Sequence, residues 1–289
     1  MKIDVSLDRI TISSPIVKHK TAITELTEFL ADSAWEKISD SEFRLSRINE
    51  NDVREYVAGL FKNQHQHESF RLDTSNRLES EDELFEIRRV VSFMSAPKIT
   101  RIDIAFDIKN GSKPNMAHRI YRFNASSAIF ASDLLLMSGK NSDIQTIYSG
   151  KRKSNVMIRY YDKKAEQKSR RKSLPEDIHQ WERLELQLRS NESLNWVNNA
   201  KKMLSYFKMP KFENVTNVQE RAMLFAIDNK FVKISDLSKA TATKYRKMFK
   251  DNYGFDTQYS ELMLDELNQN IDKIENEINT FMKKIDISI

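Results

Sequence analysis

The sequence predicts an α+β fold, in which an antiparallel-rich central sheet with helices packed on one face is followed by an all-helical C-terminal region. Several segments before residue 205 alternate apolar and polar residues with the period of two expected of half-buried strands. Segments between them have the acidic start and basic middle of helices, and after residue 205 helical periodicity replaces the alternation. We therefore predict two regions, residues 1–205 and residues 206–289.

The predicted elements follow in order along the chain. Residues 21–64 are predicted to be mostly helical, and residues 79–94 to form one helix with an acidic first turn. Another helix is expected from about residue 115, with a strand or short helix within 127–137. The predicted strands are residues 1–15, 68–74, 100–108, 147–150, 155–161 and 181–190.

The composition limits the class of protein. The chain has 289 residues, of which 39% are hydrophobic, and it contains no cysteine, which excludes disulfides, thiolate metal sites and cysteine nucleophiles. No segment approaches the roughly 18 consecutive apolar residues of a membrane span. The start, MKIDVSLDRITISS, is typical of a strand rather than of a signal peptide. We expect a cytoplasmic protein with no membrane partner.

Positive charge is concentrated in one segment. The net charge is +5, but residues 150–172 alone carry ten Lys or Arg against only Asp162 and Glu166. A solvated helix face would more often mix both signs, so this cluster favours nucleic acid as the partner. The candidate DNA contacts here are Lys151, Arg152, Lys153 and Lys164.

A polar face is predicted where four strands share one sheet, because side chains two residues apart on a strand point to the same side. Tyr160 shares parity with Val156 and Ile158 and belongs to the core, whereas Tyr161 shares parity with Arg159. A solvated sheet with cross-strand ion pairs would show similar alternation. The predicted polar face collects Arg71, Asp73, Arg101, Asp103, Arg159, Tyr161, Arg183, Glu185 and Gln187.

Such a face suits metal-assisted transfer of a phosphodiester to a tyrosine. The carboxylates of Asp73, Asp103 and Glu185 are the oxygen ligands that Mg²⁺ or Mn²⁺ prefers. Nearby cations, Arg159, Lys163 and Lys164 among them, are expected to favour the phenolate form of Tyr161. Asp107 is expected to be structural, and Tyr148 is the rival nucleophile.

Four motifs resemble the replication initiators of small rolling-circle plasmids from Gram-positive bacteria, the Rep_trans type. The strand, basic turn and strand that end in R-x-Y-[DN]-K-K are the most specific part of the resemblance. The motifs are FRLDTSN (70–76), TRIDIAFD (100–107), YSGKRKSNVMIRYYDKKAEQK (148–168) and WERLELQLR (181–189).

The resemblance implies a metal-dependent nicking and closing enzyme. The family's tyrosine, which nicks the origin and is joined to the 5′ phosphate, falls on Tyr161, and its sheet acids fall on Asp73, Asp103 and Glu185. Gln187 stands where relatives often carry a second glutamate. The implied partners are origin DNA, supercoiled or single-stranded at the nick site, a second copy in a homodimer, and a host helicase and polymerase.

Two alternatives remain open for the function. A conjugative relaxase of the same superfamily would share the chemistry. A non-enzymatic DNA-binding regulator would rely on residues 234–253, which have the look of a helix-turn-helix, with Ser235 and Thr241 or Thr243 as helix caps. The second helix of that element would present Lys244, Arg246, Lys247 and Lys250 to DNA.

Two further patterns have alternative interpretations. Apolar residues within 259–285 follow a heptad spacing, which indicates either a dimer contact or a helix packed on its own chain. His65-Gln66-His67 is interpreted as an exposed loop rather than a metal site, because a polar Gln separates the two histidines. The heptad positions are Leu264, Leu267, Ile271, Ile274, Ile278, Phe281 and Ile285.

Overall fold

The predicted α+β class with an antiparallel sheet is confirmed by the computed structural model, which describes residues 1–15, 20–49, 52–63, 69–75, 78, 80–121, 135–138, 144–150, 153–170 and 172–287. The first strands are β1 (Lys2–Pro15), β2 (Glu36–Ser39), β3 (Glu42–Ile48), β4 (Arg54–Asn63), β5 (Ser69–Ser75) and β6 (Lys98–Lys109). The later strands are β7 (Arg119–Ile120), β8 (Leu135–Ser138), β9 (Ile144–Ser149), β10 (Val156–Asp162), β11 (Trp181–Arg189), β12 (Phe207–Pro210) and β13 (Phe255–Asp256).

Helices are found in both halves of the sequence. The first four are α1 (Lys20–Ala31), α2 (Glu81–Ser92), α3 (Lys163–Ser169) and α4 (Asn191–Leu194). The others are α5 (Trp196–Leu204), α6 (Val218–Asp228), α7 (Lys239–Lys250) and α8 (Gln258–Lys284), with short 3-10 helices at Phe212–Asn214 and Ile234–Asp236. No helix in these described ranges is long and apolar enough to cross a bilayer.

The chain forms two compact units whose segments alternate along the sequence. The first unit comprises residues 1–5, 105–187 and 197–270, and the second comprises residues 6–104, 188–196 and 271–289. The strand order is β6-β11-β10-β9-β8 in the first unit, which also holds a small sheet of order β13-β12-β7. In the second unit the order is β2-β3-β4-β5-β1-β6.

The core of the first unit confirms the predicted parity of β10. Ile158 and Tyr160 are almost completely buried, and the Tyr160 ring packs against Phe207 with centroids 4.8 Å apart. His118 is sandwiched between Phe207 and Tyr259, at 4.7 and 4.4 Å between ring centroids. The other face of β10 is therefore left for polar side chains.

In the second unit, α2 begins as its sequence predicts. Ser80 accepts a hydrogen bond from the Glu83 amide at 3.1 Å, and the Glu83 carboxylate accepts from the Ser80 amide, which completes a capping box. The Glu83 carboxylate also pairs with Arg47 at 3.0 Å. These contacts fix the start of the helix.

The prediction that residues 21–64 are mostly helical is wrong beyond α1. Residues 36–39, 42–48 and 54–63 form β2, β3 and β4, and β4 pairs with β5 through partners such as Leu60 and Leu72. Val57, Ala58 and Leu60 are fully buried there. The cross-strand ladder satisfies the backbone and buries these side chains, which outweighs the helix propensity of the segment.

The small sheet of the first unit differs from two other predictions, the helix from about residue 115 and the all-helical C-terminal region. No helix begins near residue 115 in the described chain, and β7 instead places Ile120 opposite Phe207 of β12. The C-terminal region is mainly helical, as expected, but it also contributes β12 and β13. The boundary at residues 205/206 was predicted as a division between two functional regions, and it stays a prediction.

Five of the seven heptad positions are buried within the single chain, and Leu264 and Ile271 are half-buried. Leu267, Ile274 and Ile285 are at most 1% exposed, and Ile278 and Phe281 are also buried. Packing on its own chain is therefore the interpretation that the structure supports. A dimer contact through this seam would require its buried side chains to become exposed. The predicted homodimer therefore needs another surface.

Candidate active site

Tyr161 lies near the end of β10, immediately before α3. Asp162 caps that helix by accepting a hydrogen bond from the Ala165 amide at 2.8 Å, which fixes the chain direction next to the tyrosine. The Tyr161 side chain is 5% exposed, yet its surroundings are polar. Its hydroxyl donates to Glu185 Oε1 at 2.7 Å and accepts from Lys163 Nζ at 3.3 Å.

Arg159 completes this group from the same face of β10. Its Nη2 lies 2.5 Å from Glu185 Oε2, and its guanidinium stands 4.5 Å from the centroid of the Tyr161 ring. Burial raises the pKa of Glu185, but the Arg159 guanidinium and the Tyr161 hydroxyl together hold it below its ordinary value. Glu185 is thus a carboxylate at neutral pH, with one oxygen bound to each neighbour.

The expectation that nearby cations favour a Tyr161 phenolate is wrong for this structure. Burial, followed by the Glu185 carboxylate, raises the pKa of the Tyr161 hydroxyl well above its ordinary value. Arg159 and Arg183 lower it by less. Tyr161 is therefore a neutral phenol at neutral pH, and the adjacent carboxylate is the group placed to accept its proton.

Lys163 is held by α3 rather than by the strand. Its ammonium pairs with Glu166 Oε2 at 2.6 Å, and only a small part of the side chain is exposed. Burial, with Arg183 nearby, lowers the pKa of Lys163 despite this ion pair. Glu166 was not among the predicted site residues, although its i,i+3 spacing from Lys163 on a helix could have indicated the contact.

Asp107 has the structural role that the sequence predicts. Arg183 binds both carboxylate oxygens, with Nε at 2.8 Å from Oδ1 and Nη2 at 2.6 Å from Oδ2, and Trp181 Nε1 donates to Oδ1 at 2.6 Å. The Asp107 carboxylate is thereby bound to Trp181 and Arg183 of β11. Arg183 precedes Glu185 by two residues on that strand. The same carboxylate also fixes Arg183, which acts electrostatically on Tyr161 and Lys163.

Tyr148, the rival nucleophile, lies on β9 directly opposite Arg159. Residues that face each other across an antiparallel pair share a face, so Tyr148 is on the Tyr161 side of the sheet. Its side chain is half-buried and therefore more accessible than that of Tyr161. Tyr148 therefore stays an alternative nucleophile, and substitution of each tyrosine must decide between the two.

Asp73 and Asp103, the other two predicted metal ligands, lie in the second unit. Asp73 accepts from the Thr11 hydroxyl at 2.8 Å and pairs with Arg71 at 3.3 Å, while Asp103 forms a two-pronged ion pair with Arg101. Across the described ranges, no three or more His, Asp or Glu residues come together closely enough to hold a metal ion. The residues seen here do not form a metal centre by themselves, and the Mg²⁺ or Mn²⁺ site stays a prediction.

The predicted DNA contacts near the basic turn are only partly visible. Lys151 and Arg152 lie outside the described residues, as do His65, Gln66 and His67. Lys153 is exposed, and Lys164 Nζ donates to the His179 carbonyl at 2.8 Å.

A helical pair presents the other predicted DNA contacts. α6 and α7 flank the 3-10 helix Ile234–Asp236 and share an apolar core with Tyr121 and Phe212. The cap of α7 is Ser238, not Ser235, Thr241 or Thr243, because Ser238 Oγ accepts from the Thr241 amide at 3.4 Å. On α7, Lys247 and Lys250 are exposed, Lys244 is exposed but paired with Glu220 at 2.8 Å, and Arg246 is half-buried.

The carboxyl end of α7 is bound by a buried lysine. Lys208 Nζ donates to the Phe249 carbonyl and to Asn252 Oδ1, both at 2.6 Å. Carbonyls in the last turn of a helix have no partner within the helix, so this ammonium satisfies one of them and fixes the end of α7 to β12.

This sequence is similar to those of known proteins. The model of the replication initiation factor family, Rep_trans, matches residues 97–209, which include Asp103, Tyr161 and Glu185, so the predicted resemblance is confirmed there. Two proteins of Staphylococcus aureus named "Replication initiation protein" are 23% and 24% identical over 285 and 286 residues, covering 97% of this chain and 86% and 85% of their own. A solved rolling circle replication initiator protein from Geobacillus stearothermophilus aligns with 75% of this chain and 90% of its own, at 11% identity and a TM-score of 0.41.

Proposed function

Because this chain resembles the replication initiation factors, we propose that it is a rolling-circle DNA replication initiator. It nicks and rejoins one strand at a double-strand origin through a 5′-phosphotyrosine at Tyr161. The observation that carries the proposal is the hydrogen bond of 2.7 Å from the Tyr161 hydroxyl to Glu185 Oε1, inside a group of cations. Buried tyrosine hydroxyls commonly bond a carboxylate, as Tyr121 does to Asp228, but Tyr161 also accepts from Lys163 and has the Arg159 guanidinium over its ring.

In the nicking step, the Tyr161 oxygen attacks the phosphorus of the scissile phosphodiester. The O–P bond to tyrosine forms, the bond from phosphorus to the 3′ oxygen breaks, and the phenol proton passes to Glu185 Oε1. The departing 3′ oxygen takes a proton from water and becomes the 3′-OH that a polymerase extends. Arg159 and Lys163 place positive charge where the transferring phosphate gathers negative charge.

Rejoining reverses the same bonds. A 3′-OH attacks the phosphotyrosine and gives its proton to the hydroxide that the nicking step left in the solvent. The bond from phosphorus to the Tyr161 oxygen breaks, and the proton on Glu185 returns to the phenol. The raised pKa of Tyr161 makes its phenolate a poor leaving group. Lys163, whose ammonium already donates to that oxygen, stabilises the negative charge that appears there.

A divalent ion, Mg²⁺ or Mn²⁺, remains part of the proposal, with Asp73, Asp103 and Glu185 as its ligands. Bound to a phosphate oxygen it would act as a Lewis acid. None of the steps above depends on it. The supporting observation is only the chemistry of the donors, because carboxylate oxygens are what these ions prefer.

The test is a nicking assay on the supercoiled replicon, with Mg²⁺ or Mn²⁺ and with a chelator. We expect nicked circles that carry covalently bound protein, no adduct with Tyr161→Phe, and an unchanged adduct with Tyr148→Phe. DNA binding should survive both substitutions, because each removes one hydroxyl. An adduct that persists in Tyr161→Phe and is lost in Tyr148→Phe would assign the nucleophile to Tyr148 on β9. Nicking at full rate in the presence of chelator would show that no divalent ion is needed.

The same assay separates the alternatives. A conjugative relaxase would form the same adduct but at a transfer origin, so the mapped nick and its neighbouring genes decide between the two. A DNA-binding regulator, which the capped α7 would suit, would bind DNA without any adduct. The homodimer and the host helicase and polymerase belong to the proposal and follow from the resemblance, and a cytoplasmic place of action is proposed from the composition.

A further inference from the structure

Among the described residues, two buried hydrogen-bond donors on β10 and β11 have no acceptor. They are Nε of Arg159 and Nε2 of Gln187, and within the described part of the chain neither has a partner. Gln187 as a whole is 4% exposed. Leaving a buried donor unpaired costs roughly 1–3 kcal/mol, so such atoms require an explanation.

Both donors belong to the polar face that holds Tyr161. Arg159 precedes Tyr161 by two residues on β10, and Gln187 follows Glu185 by two residues on the neighbouring strand β11. Residues two apart on a strand share a face and stand roughly 7 Å apart. The other polar atoms of this group are already committed, since Glu185 binds Tyr161 and Arg159 Nη2, and Lys163 binds Glu166.

We propose that Arg159 Nε and Gln187 Nε2 bind the non-bridging oxygens of the scissile phosphodiester in a DNA single strand. This inference rests on the proposed function and names the protein groups that hold its reacting phosphate. A phosphate oxygen is a charged acceptor, which forms the strongest hydrogen bonds with such donors. Binding would satisfy both buried atoms and would place phosphorus beside the Tyr161 hydroxyl.

Gln187 is the informative position, because its amide can be exchanged for a carboxylate of nearly the same size. A carboxylate has no donor to offer and would repel a phosphate, whereas the amide of glutamine supplies a neutral donor at the same place. The amide could also stand reversed, with its oxygen accepting from Arg159 and its nitrogen elsewhere, in which case Gln187 would only orient the arginine.

Two substitutions separate these cases. Gln187→Met keeps the volume and removes both the donor and the acceptor, while Gln187→Glu keeps an acceptor and adds a charge. If Gln187 donates to the phosphate, single-turnover adduct formation on an oligonucleotide that spans the mapped nick should fall about 10- to 100-fold in Gln187→Met, the size expected for one hydrogen bond to a charged group. It should fall further in Gln187→Glu.

The opposite order would overturn the proposal. A rate in Gln187→Glu at or above that of the unsubstituted protein would mean that an acceptor or a metal ligand is needed at this position. An unchanged rate in Gln187→Met would mean that the amide does not take part. Gln269→Met, which changes an exposed glutamine of α8, controls for the substitution itself.

A second measurement does not depend on nicking. In the full-length Tyr161→Phe protein, labelled with ¹⁵N, the Arg159 Nε–H and Gln187 side-chain amide signals are assigned by their loss in Arg159→Lys and Gln187→Met. Both signals should shift when oligothymidylate is added and should shift less with its uncharged methylphosphonate analogue. Shifts without nicking would retain the phosphate site and reject the proposed reaction, whereas signals that do not move would reject the site.

Discussion

Among single residues, Glu185 determines how Tyr161 can react. One oxygen takes the phenol hydrogen bond and the other takes Arg159, so the carboxylate stays charged while the phenol stays neutral. In the proposed nicking step, the phenol becomes a nucleophile only if its proton leaves as the bond to phosphorus forms. This arrangement links attack to proton transfer across one hydrogen bond.

His118 provides a test of burial at the same scale. Its ring is completely buried between Phe207 and Tyr259, and burial lowers its pKa from 6.5 to about 4. The folded state therefore binds fewer protons than the unfolded state between these two values. The stability contributed by neutral His118 is fully present above pH 6.5 and is lost as the pH falls towards 4, a change of about 3 kcal/mol.

Urea unfolding between pH 4 and 7 measures this effect. In His118→Phe, which keeps a ring in the stack but cannot bind a proton, the free energy of unfolding should decline less steeply with falling pH than in the parent protein. Parallel curves for the two proteins would show that His118 does not titrate in this window.

The sequence predicted which side chains share the face of the candidate site, but it did not predict their protonation states. A period of two placed Tyr161 with Arg159 and Glu185 with Gln187, because parity along a strand depends only on the chain itself. The raised pKa of Tyr161 depends on burial by residues far away in sequence, which parity does not report. The Lys163–Glu166 ion pair was not predicted, because the charges of the basic run do not by themselves show which side chains pair.

Among the elements, α7 carries the clearest prediction about DNA. Lys247 and Lys250 are exposed, while the ammonium of Lys244 is already paired with Glu220. Each free cation that meets a phosphate contributes about 0.9 to the slope of log affinity against log salt on duplex DNA. Lys247→Ala and Lys250→Ala should each lower the slope for origin duplex by about that amount, and Lys244→Ala by less.

Fluorescence anisotropy at several salt concentrations gives these slopes. Lys273→Ala, which removes an exposed lysine of α8, is the matched control and should leave the slope unchanged. Equal losses for all four variants would indicate that α7 contributes only net charge and makes no specific phosphate contacts.

Elements were predictable where their local signals agreed with their surroundings. The capping box of α2 and the alternation of β6, β10 and β11 lie entirely within short stretches of sequence. The strands β2 to β4 were missed because their ladder depends on β5, a partner later in the chain. The small sheet of β7, β12 and β13 escaped notice for the same reason, since strands of two to four residues carry too few side chains to show a period.

For the molecule as a whole, the heptad seam of α8 predicts stability rather than assembly. Ile274 is 1% exposed in the single chain, so Ile274→Ala should lower the free energy of unfolding by about 2–5 kcal/mol. The mass measured by sedimentation equilibrium should not change at concentrations where the variant is folded. Glu275→Ala, its exposed neighbour, should alter neither quantity, and a dimer that dissociates in Ile274→Ala without loss of stability would restore the seam as the contact.

The alternation of the two units along the chain limits how this protein can be divided. Each unit is assembled from three separate stretches, and α8 passes from one to the other between residues 270 and 271. No single proteolytic cut can therefore separate the two units, because any fragment that contains one of them complete also carries most of the other. Dissection of its activities therefore calls for point substitutions in the intact polypeptide.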